Sequence, residues 1–356
     1  MKILFTTVPG IEDLVVQEIR TKLRLDIDRF EKIGISELGG RIIVEFPDSN
    51  YSIIKNIKNL HTVERAFLVI AQGEIGPKLD DLVKVINEIN LEWLKDYVTN
   101  FTTIAVKCVR AGDHEYTSLD VARKLGQKIV NYLKSQGINT TVCLDNPDIV
   151  IEFDIIGNRY ILSIELIRRS LRERKYRVFH HEASINPILA YAMNMLLNYD
   201  IDKEYVLMDP MCGSGTIVIE GCFYYEKALY IGADIDKRNV KGAIRNVLKA
   251  GFASRVALLT ADVKRLSNYV KYVDGIVTNP PYGIRMEPLD TLERFYNEFI
   301  MEFYKVLDSG SRAVIITPRR GLMLRALQKC QGFIIENQVT VEQGGMLSTI
   351  FVLKKE

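Results

Sequence analysis

The segment Tyr205-Val206-Leu207-Met208-Asp209-Pro210-Met211-Cys212-Gly213-Ser214-Gly215-Thr216-Ile217-Val218-Ile219 decides how the chain is read. Its first five residues read as a buried strand. A glycine-rich turn follows, and Ile217-Val218-Ile219 opens an apolar helix. Strand, glycine turn and helix in that order make a loop suited to a polar ligand. The glycines let the backbone come close, and the helix N-terminus offers free N–H groups.

The residues downstream repeat the pattern. Ala228–Ala233 predicts a second strand, ending in Asp234 nineteen residues after Gly215. An acidic side chain there can accept hydrogen bonds from ribose hydroxyls. Val256–Leu259 predicts a third strand, followed by Asp262, and Asp274–Thr278 a fourth, followed by Asn279. Asp209, Asp234, Asp262 and Asn279 thus fall at the carboxyl ends of predicted parallel strands, where open α/β sheets place ligands. From about residue 180 onward, strands and helices alternate, which predicts a mostly parallel sheet covered on both faces.

Two features separate the candidate cofactors. The dinucleotide fingerprint G-x-G-x-x-G is incomplete, because Val218 stands where its third glycine would be. The chain closes with Phe333–Val341, Gly344-Gly345 and Leu347–Leu353, an expected antiparallel hairpin. That ending resembles the S-adenosylmethionine-dependent methyltransferase topology.

Asn279-Pro280-Pro281-Tyr282 is the most specific motif in the chain. Two prolines fix two φ angles and remove two N–H donors. Acceptors remain: the Asn279 amide oxygen and the Pro280 carbonyl. Two acceptors can hold the two hydrogens of an exocyclic amine, and Tyr282 can stack on the base carrying it. An aromatic amine is a poor nucleophile, since its lone pair is delocalised. Accepting its hydrogens helps pyramidalise the nitrogen for in-line displacement.

The 356 residues suggest two or three domains. Lys plus Arg is 47 and Asp plus Glu 45, a net charge of +2, so any RNA contact must come from local clusters. The strongest cluster is the stretch 159–177, with Arg159, Arg168, Arg169, Arg172, Arg174, Lys175 and Arg177. Five scattered cysteines without a CxxC pair, and four histidines, predict free thiols and no metal. We find no apolar run long enough to span a bilayer and no signal peptide, so a cytoplasmic setting is the expectation. The first half reads as mixed α+β. Its expected elements are a strand at Ile3–Thr7, a helix over Ile11–Lys22 and a strand at Thr103–Val109. A helix over Ser118–Ser135, a strand near Asn139–Leu144 and a hairpin Asp148–Phe153/Arg159–Ile164 turning at Gly157-Asn158 follow.

Residues 176–356 resemble the amino-methyltransferases with an Asn/Asp-Pro-Pro-Tyr/Phe/Trp motif. Arg177-Val178-Phe179-His180-His181-Glu182-Ala183-Ser184-Ile185-Asn186-Pro187 looks like the segment preceding that family's first strand. The resemblance implies that Ser184, Asn186 and Pro187 bind the methionine end of S-adenosylmethionine. Asp209 and the loop Cys212, Gly213, Ser214, Gly215 and Thr216 hold that end too, with Cys212 read as packing. Asp234, beside Ile235, holds the ribose, and Asp262 with Val263 reads the adenine. Asn279, Pro280 and Tyr282 would carry the chemistry, with Asn279 touching the cofactor as well. His180 and His181 stand next to this site without a base role.

Val106–Ser118 and Leu144–Asp148 look like the core of a THUMP domain, and Val8-Pro9-Gly10-Ile11-Glu12 like its ferredoxin-like companion. The whole resembles the THUMP-containing guanine-N2 methyltransferases of the tRNA acceptor stem. The implied fold is a Rossmann-like methyltransferase domain preceded by an α+β ferredoxin-like plus THUMP module. The boundaries expected are 1–65 ferredoxin-like, 66–165 THUMP, 166–178 basic linker and 179–356 methyltransferase. The implied reaction is methylation of a guanosine N2 amine at nucleotide 6 of tRNA. Nucleotide 10 or ribosomal RNA is the alternative substrate. Arg110, His114, Arg168, Arg169, Arg172, Arg174 and Lys175 would contact the RNA. A monomer acting on tRNA, with no membrane and no metal, completes the expectation. An NAD oxidoreductase would need the third glycine and a proton-relay residue, and we see neither. An RNA-binding protein with an inactive methyltransferase fold would lack cofactor binding.

Overall fold

The computed structural model describes residues 1–36, 39–47, 52–181, 184–283 and 289–356. The chain divides into two units. One comprises residues 1–6, 16–60 and 65–170, and the other residues 7–15, 61–64 and 171–356.

The first unit is built on a mixed sheet. Its strands are β1 (Lys2–Thr6), β2 (Arg29–Ser36), β3 (Gly39–Glu45), β4 (Arg65–Glu74), β5 (Thr103–Lys107), β6 (Arg110–Ala111), β7 (Thr141–Val142), β8 (Ile149–Ile156) and β9 (Arg159–Glu165). Among the described residues they join in the order β2-β3-β1-β4-β9-β8-β5-β7, with β6 beside β8. The segments 1–65 and 66–165 therefore share one sheet. Helix α1 spans Glu12–Thr21, and α2 (Ser52–Asn56), α3 (Leu79–Glu88) and α4 (Ser118–Ser135) belong to the first unit.

Helix α4 begins where its sequence dictates. The Thr117 hydroxyl accepts from the Asp120 N–H, and the Asp120 carboxylate accepts from the Thr117 N–H, closing a capping box. Val121, Leu125, Ile129 and Leu133 fall at helical spacing and pack with Leu82 and Ile86 of α3 and with Ile151 and Phe153 of β8. The expected strand near Asn139–Leu144 shrinks to Thr141–Val142, both exposed at the sheet edge. Short edge strands limit unwanted pairing.

The second unit is an α/β sheet. Its strands are β10 (Val206–Asp209), β11 (Leu229–Asp234), β12 (Val256–Thr260), β13 (Val273–Thr278), β14 (Leu307–Thr317), β15 (Phe333–Gln343) and β16 (Met346–Lys355). Their order is β12-β11-β10-β13-β14-β16-β15. The first five run parallel, and β16 is antiparallel to both its neighbours. Gly344 and Gly345 form the tight turn between β15 and β16, with φ of +59° and +78°, the geometry that two-residue hairpins require.

The helices are α5 (Pro187–Met195), α6 (Thr216–Tyr224), α7 (Lys237–Ala250), α8 (Leu289–Val306) and α9 (Arg320–Cys330). Two cores explain their arrangement. Leu189, Met193, Ile217 and Val218 from α5 and α6 pack with Leu207 and Val277 of the sheet. Tyr296, Phe299, Phe303 and Met323 from α8 and α9 pack with Met208, Ile276 and Ile315. Neighbouring strand residues thus face opposite layers, as a doubly covered sheet demands. Among the described residues no helix is long and apolar enough to cross a membrane.

Candidate active site

The loop after β10 is shaped by two glycines in left-handed conformation, Gly213 at φ +52° and Gly215 at φ +79°. Gly215 also sits at the N-terminus of α6, where a Cβ would lie 3.2 Å from that of Ala243. The Gly213 N–H donates to Asp234 Oδ2 at 3.0 Å. Asp234 Oδ1 accepts from the Asp236 N–H at 2.8 Å and from Asn239 Nδ2 at 3.2 Å. A carboxylate offers about four acceptor positions, so one remains on Oδ2 for a ligand hydroxyl.

Asp209 is fully buried at the end of β10. Burial pushes its carboxyl up to about 7, the nearby charge of Asp234 adds to this, and hydrogen bonds oppose it. Those bonds come from the Thr278 hydroxyl at 2.7 Å and the Met211 N–H at 3.1 Å. Asp262 caps the short turn Val263–Asn268 through the Lys264 N–H at 3.0 Å.

The Tyr282 hydroxyl donates to Asn279 Oδ1 and lies 3.2 Å from Gln343 Oε1. The Asn279 amide oxygen is therefore occupied on one lone pair and keeps the other. Burial raises the Tyr282 phenol far above its ordinary range, so it stays a donor at neutral pH.

These groups line one cleft of about 730 Å³, within the size range of small-molecule and cofactor sites. Of the residues expected there, Ser184, Asp209, Cys212, Gly213, Ser214, Thr216, Asp234, Ile235, Asp262, Val263, Asn279, Pro280 and Tyr282 reach its wall. Ser184 Oγ sits 2.9 Å from Ser214 Oγ, tying the segment before α5 to the glycine loop. Cys212 is buried with its thiol held protonated by burial, as packing requires. Glu182 and Ala183 of the quoted pre-strand segment lie outside the described residues.

Three expectations need correction. Asn186 and Pro187 do not line the cleft. Asn186 caps α5 by accepting from the Ile188 N–H at 3.0 Å, and Pro187 is buried at the first helical position. Gly215 packs against Ala243 of α7 and is not among the residues lining the cleft. Arg174 is not an open RNA contact, because its guanidinium is spent on a buried partner. Its Nε donates to Glu220 Oε1 at 2.8 Å, and its side chain is only 9% exposed.

The other basic candidates divide. Arg168, Arg169, Arg172 and Lys175 are exposed. Arg110 reaches the Gly112 carbonyl at 2.7 Å and His114 Nδ1 at 3.0 Å, while His114 Nε2 lies 2.8 Å from the Gly157 carbonyl. That pair ties its own loop to the hairpin turn of β8 and β9.

The sequence reading missed part of the wall. Asn239 and Lys264 line it, and so do Thr291, Arg294, Phe295 and Glu298 of α8, while His181, expected beside the site, lines it as well. The α8 residues fall at i, i+3, i+4 and i+7, one helical stripe beside the buried stripe of Leu292, Tyr296 and Phe299. Periodicity could have found the stripe. It could not have said that this mixed stripe faces a cleft and not solvent.

Comparisons with known proteins agree with this geometry. The RMKL-like methyltransferase domain family matches residues 174–348, and the THUMP domain family matches residues 78–165. A Thermus thermophilus tRNA (guanine(6)-N2)-methyltransferase is 31% identical over 252 residues, covering 70% of this chain and 72% of the relative. A Methanocaldococcus jannaschii protein of the same name is 28% identical over 393 aligned positions, covering 98% of each chain. The crystal structure of TrmN from Thermus thermophilus has a TM-score of 0.81 at 25% identity, covering 100% of this chain and 99% of that one. A structure of SMU.472 complexed with SAH shares the fold, with a TM-score of 0.76 at 20% identity over 100% of this chain and 98% of that one.

Proposed function

The chain belongs to the THUMP-containing tRNA guanine-N2 methyltransferases, and on that footing we propose that it methylates the exocyclic N2 amine of guanosine 6 in the tRNA acceptor stem, with S-adenosylmethionine as donor. The observation that carries this reading is the shared cleft. The Asn279-Pro280-Pro281-Tyr282 turn opens onto the same space as Asp209, Asp234 and Asp262.

The residues present fit an adenosyl cofactor. Gly213 meets the cleft with backbone alone, the remaining acceptor position of Asp234 suits a ribose hydroxyl, and Ile235 and Val263 offer apolar surface for a base. Bound there, S-adenosylmethionine supplies a methyl carbon made electrophilic by a positive sulfur, which keeps the bonding electron pair as the methyl leaves. Asn279 Oδ1 and the Pro280 carbonyl accept the two amine hydrogens and aim the nitrogen lone pair. Tyr282 stacks on the guanine. The extra proton leaves the methylated nitrogen to water, so no side chain need act as base. The target nucleotide must leave its stack to reach the cleft.

The ferredoxin-like segment (1–65) and THUMP segment (66–165) would deliver the RNA by shape and phosphate contact, since A-form grooves give little sequence readout. Arg168, Arg169, Arg172 and Lys175 of the 166–178 linker are exposed cations suited to this task. The setting we propose is the cytoplasm, and the active state a monomer.

Transcripts of one tRNA carrying guanosine at position 6, at position 10 or at neither test the substrate assignment. Methylation should follow the guanosine at position 6. Transfer that follows position 10, or occurs only on ribosomal RNA, would overturn the assignment and keep the chemistry.

A further inference from the structure

We propose that Arg319 is a positioning residue for methyl transfer, fixing the Asn279–Tyr282 turn through the Tyr282 carbonyl. The inference rests on the function proposed above. A turn with two consecutive prolines lacks two N–H donors and cannot lock itself through them. A donor from outside the turn can fix it instead through a carbonyl.

The structure supplies that anchor. Arg319 follows β14 and stands at the N-terminus of α9, where its side chain makes no capping bond. Instead its Nε donates to the Tyr282 carbonyl at 2.9 Å. Its own backbone is seated in turn, because the Arg319 N–H donates to Thr317 Oγ1 at 2.9 Å. Thr317 is fully buried, and its hydroxyl lies 2.8 Å from the hydroxyl of Tyr296, fully buried on α8. A chain of hydrogen bonds from α8 through the end of β14 thus seats the one side chain that reaches this carbonyl.

Tyr282 is held at its other end by the bond to Asn279 Oδ1 and the approach of Gln343. A shift of the Tyr282 backbone is thus passed to the amide oxygen that must accept the guanine amine. Arg319 does not line the cleft, so it acts through Tyr282 and not on substrate. Misplacing reacting groups by about 1 Å can cost about 100-fold in rate.

The test compares wild-type protein with Arg319→Ala and Arg319→Lys in steady-state transfer to tRNA. For Arg319→Ala, kcat should fall about 10- to 100-fold, while KM for tRNA and for S-adenosylmethionine changes by less than about threefold. Calorimetric affinity for S-adenosylmethionine should be unchanged. Arg319→Lys, or millimolar guanidinium added to Arg319→Ala, should restore part of kcat. Hydrogen exchange should rise in the Arg319→Ala peptide spanning the turn, a readout independent of activity.

Wild-type kcat in Arg319→Ala, or unchanged exchange at the turn, would overturn the inference. So would a loss of rate matched by a loss of cofactor affinity and relieved by neither lysine nor guanidinium. Absence of transfer by the wild-type protein would overturn the functional reading instead, and exchange at the turn would then decide the anchoring role alone.

Discussion

Gly213 and Asp234 are joined by a 3.0 Å hydrogen bond across 21 residues of sequence, from the backbone N–H of the first to Oδ2 of the second. The glycine loop and the carboxylate ending β11 are therefore one structural unit. A ligand bound by either depends on both. Asn239 steadies the same carboxylate from α7.

Replacing Asp234 should break that unit. Hydrogen bonds to charged groups contribute about 1.5–3 kcal/mol, so Asp234→Ala should weaken S-adenosylmethionine binding by about 10- to 100-fold. Asn239→Ala should weaken it less, since two backbone N–H groups still orient the carboxylate. Calorimetric titration of both variants checks the order.

Asp209 should make the protein less stable as pH rises. Burial raises its folded pKa to about 7 from an ordinary 3.8. Between these values the unfolded chain has lost the proton and the folded chain still holds it. Stability therefore falls from about pH 4 to about pH 7 through this group, at about 1.4 kcal/mol per unit, and levels off above. Asp209→Asn keeps an acceptor for Thr278 and should flatten that slope. Thermal melts of both proteins from pH 5 to 8 would show the two curves diverging as pH rises. Parallel curves would exclude a raised Asp209.

Glu220 has the opposite sign. Burial alone would raise it, but Arg174, with His61 behind it, outweighs burial and holds it to about 2. The Tyr176 hydroxyl also donates to it, at 2.7 Å. A folded pKa below the ordinary 4.5 adds stability that is complete above pH 4.5 and lost as pH falls towards 2. Glu220→Gln should lose stability at neutral pH and show a weaker acid dependence, measured by denaturant midpoints between pH 3 and 7.

The basic stretch should separate into two kinds of residue. Removing one partner of a buried pair costs about 3–5 kcal/mol, so Arg174→Ala should act on stability. Arg169→Ala and Lys175→Ala are exposed changes that should leave stability within about 0.5 kcal/mol. They should weaken tRNA binding and lower its salt slope by about 0.7–0.9 for each phosphate contact removed. Equal effects of all three on stability would contradict this division.

What the chain revealed before its structure was known follows from range. The alternation from residue 180 onward, the acidic strand ends and the Asn-Pro-Pro-Tyr turn are local patterns, and each appears in the structure at the expected place. Arg174 looked like its neighbours because nothing nearby in sequence marks it. Its partner Glu220 is 46 residues away, inside an apolar helix. The sequence marks Asn186 as a ligand residue, yet its side chain serves the helix it begins. An Asn-Pro pair carries both meanings, and only the surrounding cleft separates them. The α8 wall and Arg319 were invisible for a related reason. Their roles depend on which side of a helix or strand end meets the turn at residues 279–282, a matter of tertiary packing.

The cleft's function, delivery of a methyl group to the N2 amine of a tRNA guanosine, is open to direct test. The most direct measurement incubates the protein and its Asn279→Ala variant with labelled S-adenosylmethionine and total tRNA, then identifies the methylated nucleoside by mass spectrometry. Labelled N2-methylguanosine is expected from the wild-type protein and none from Asn279→Ala, which should retain most of its tRNA affinity. A different methylated nucleoside, or full activity in Asn279→Ala, would contradict it.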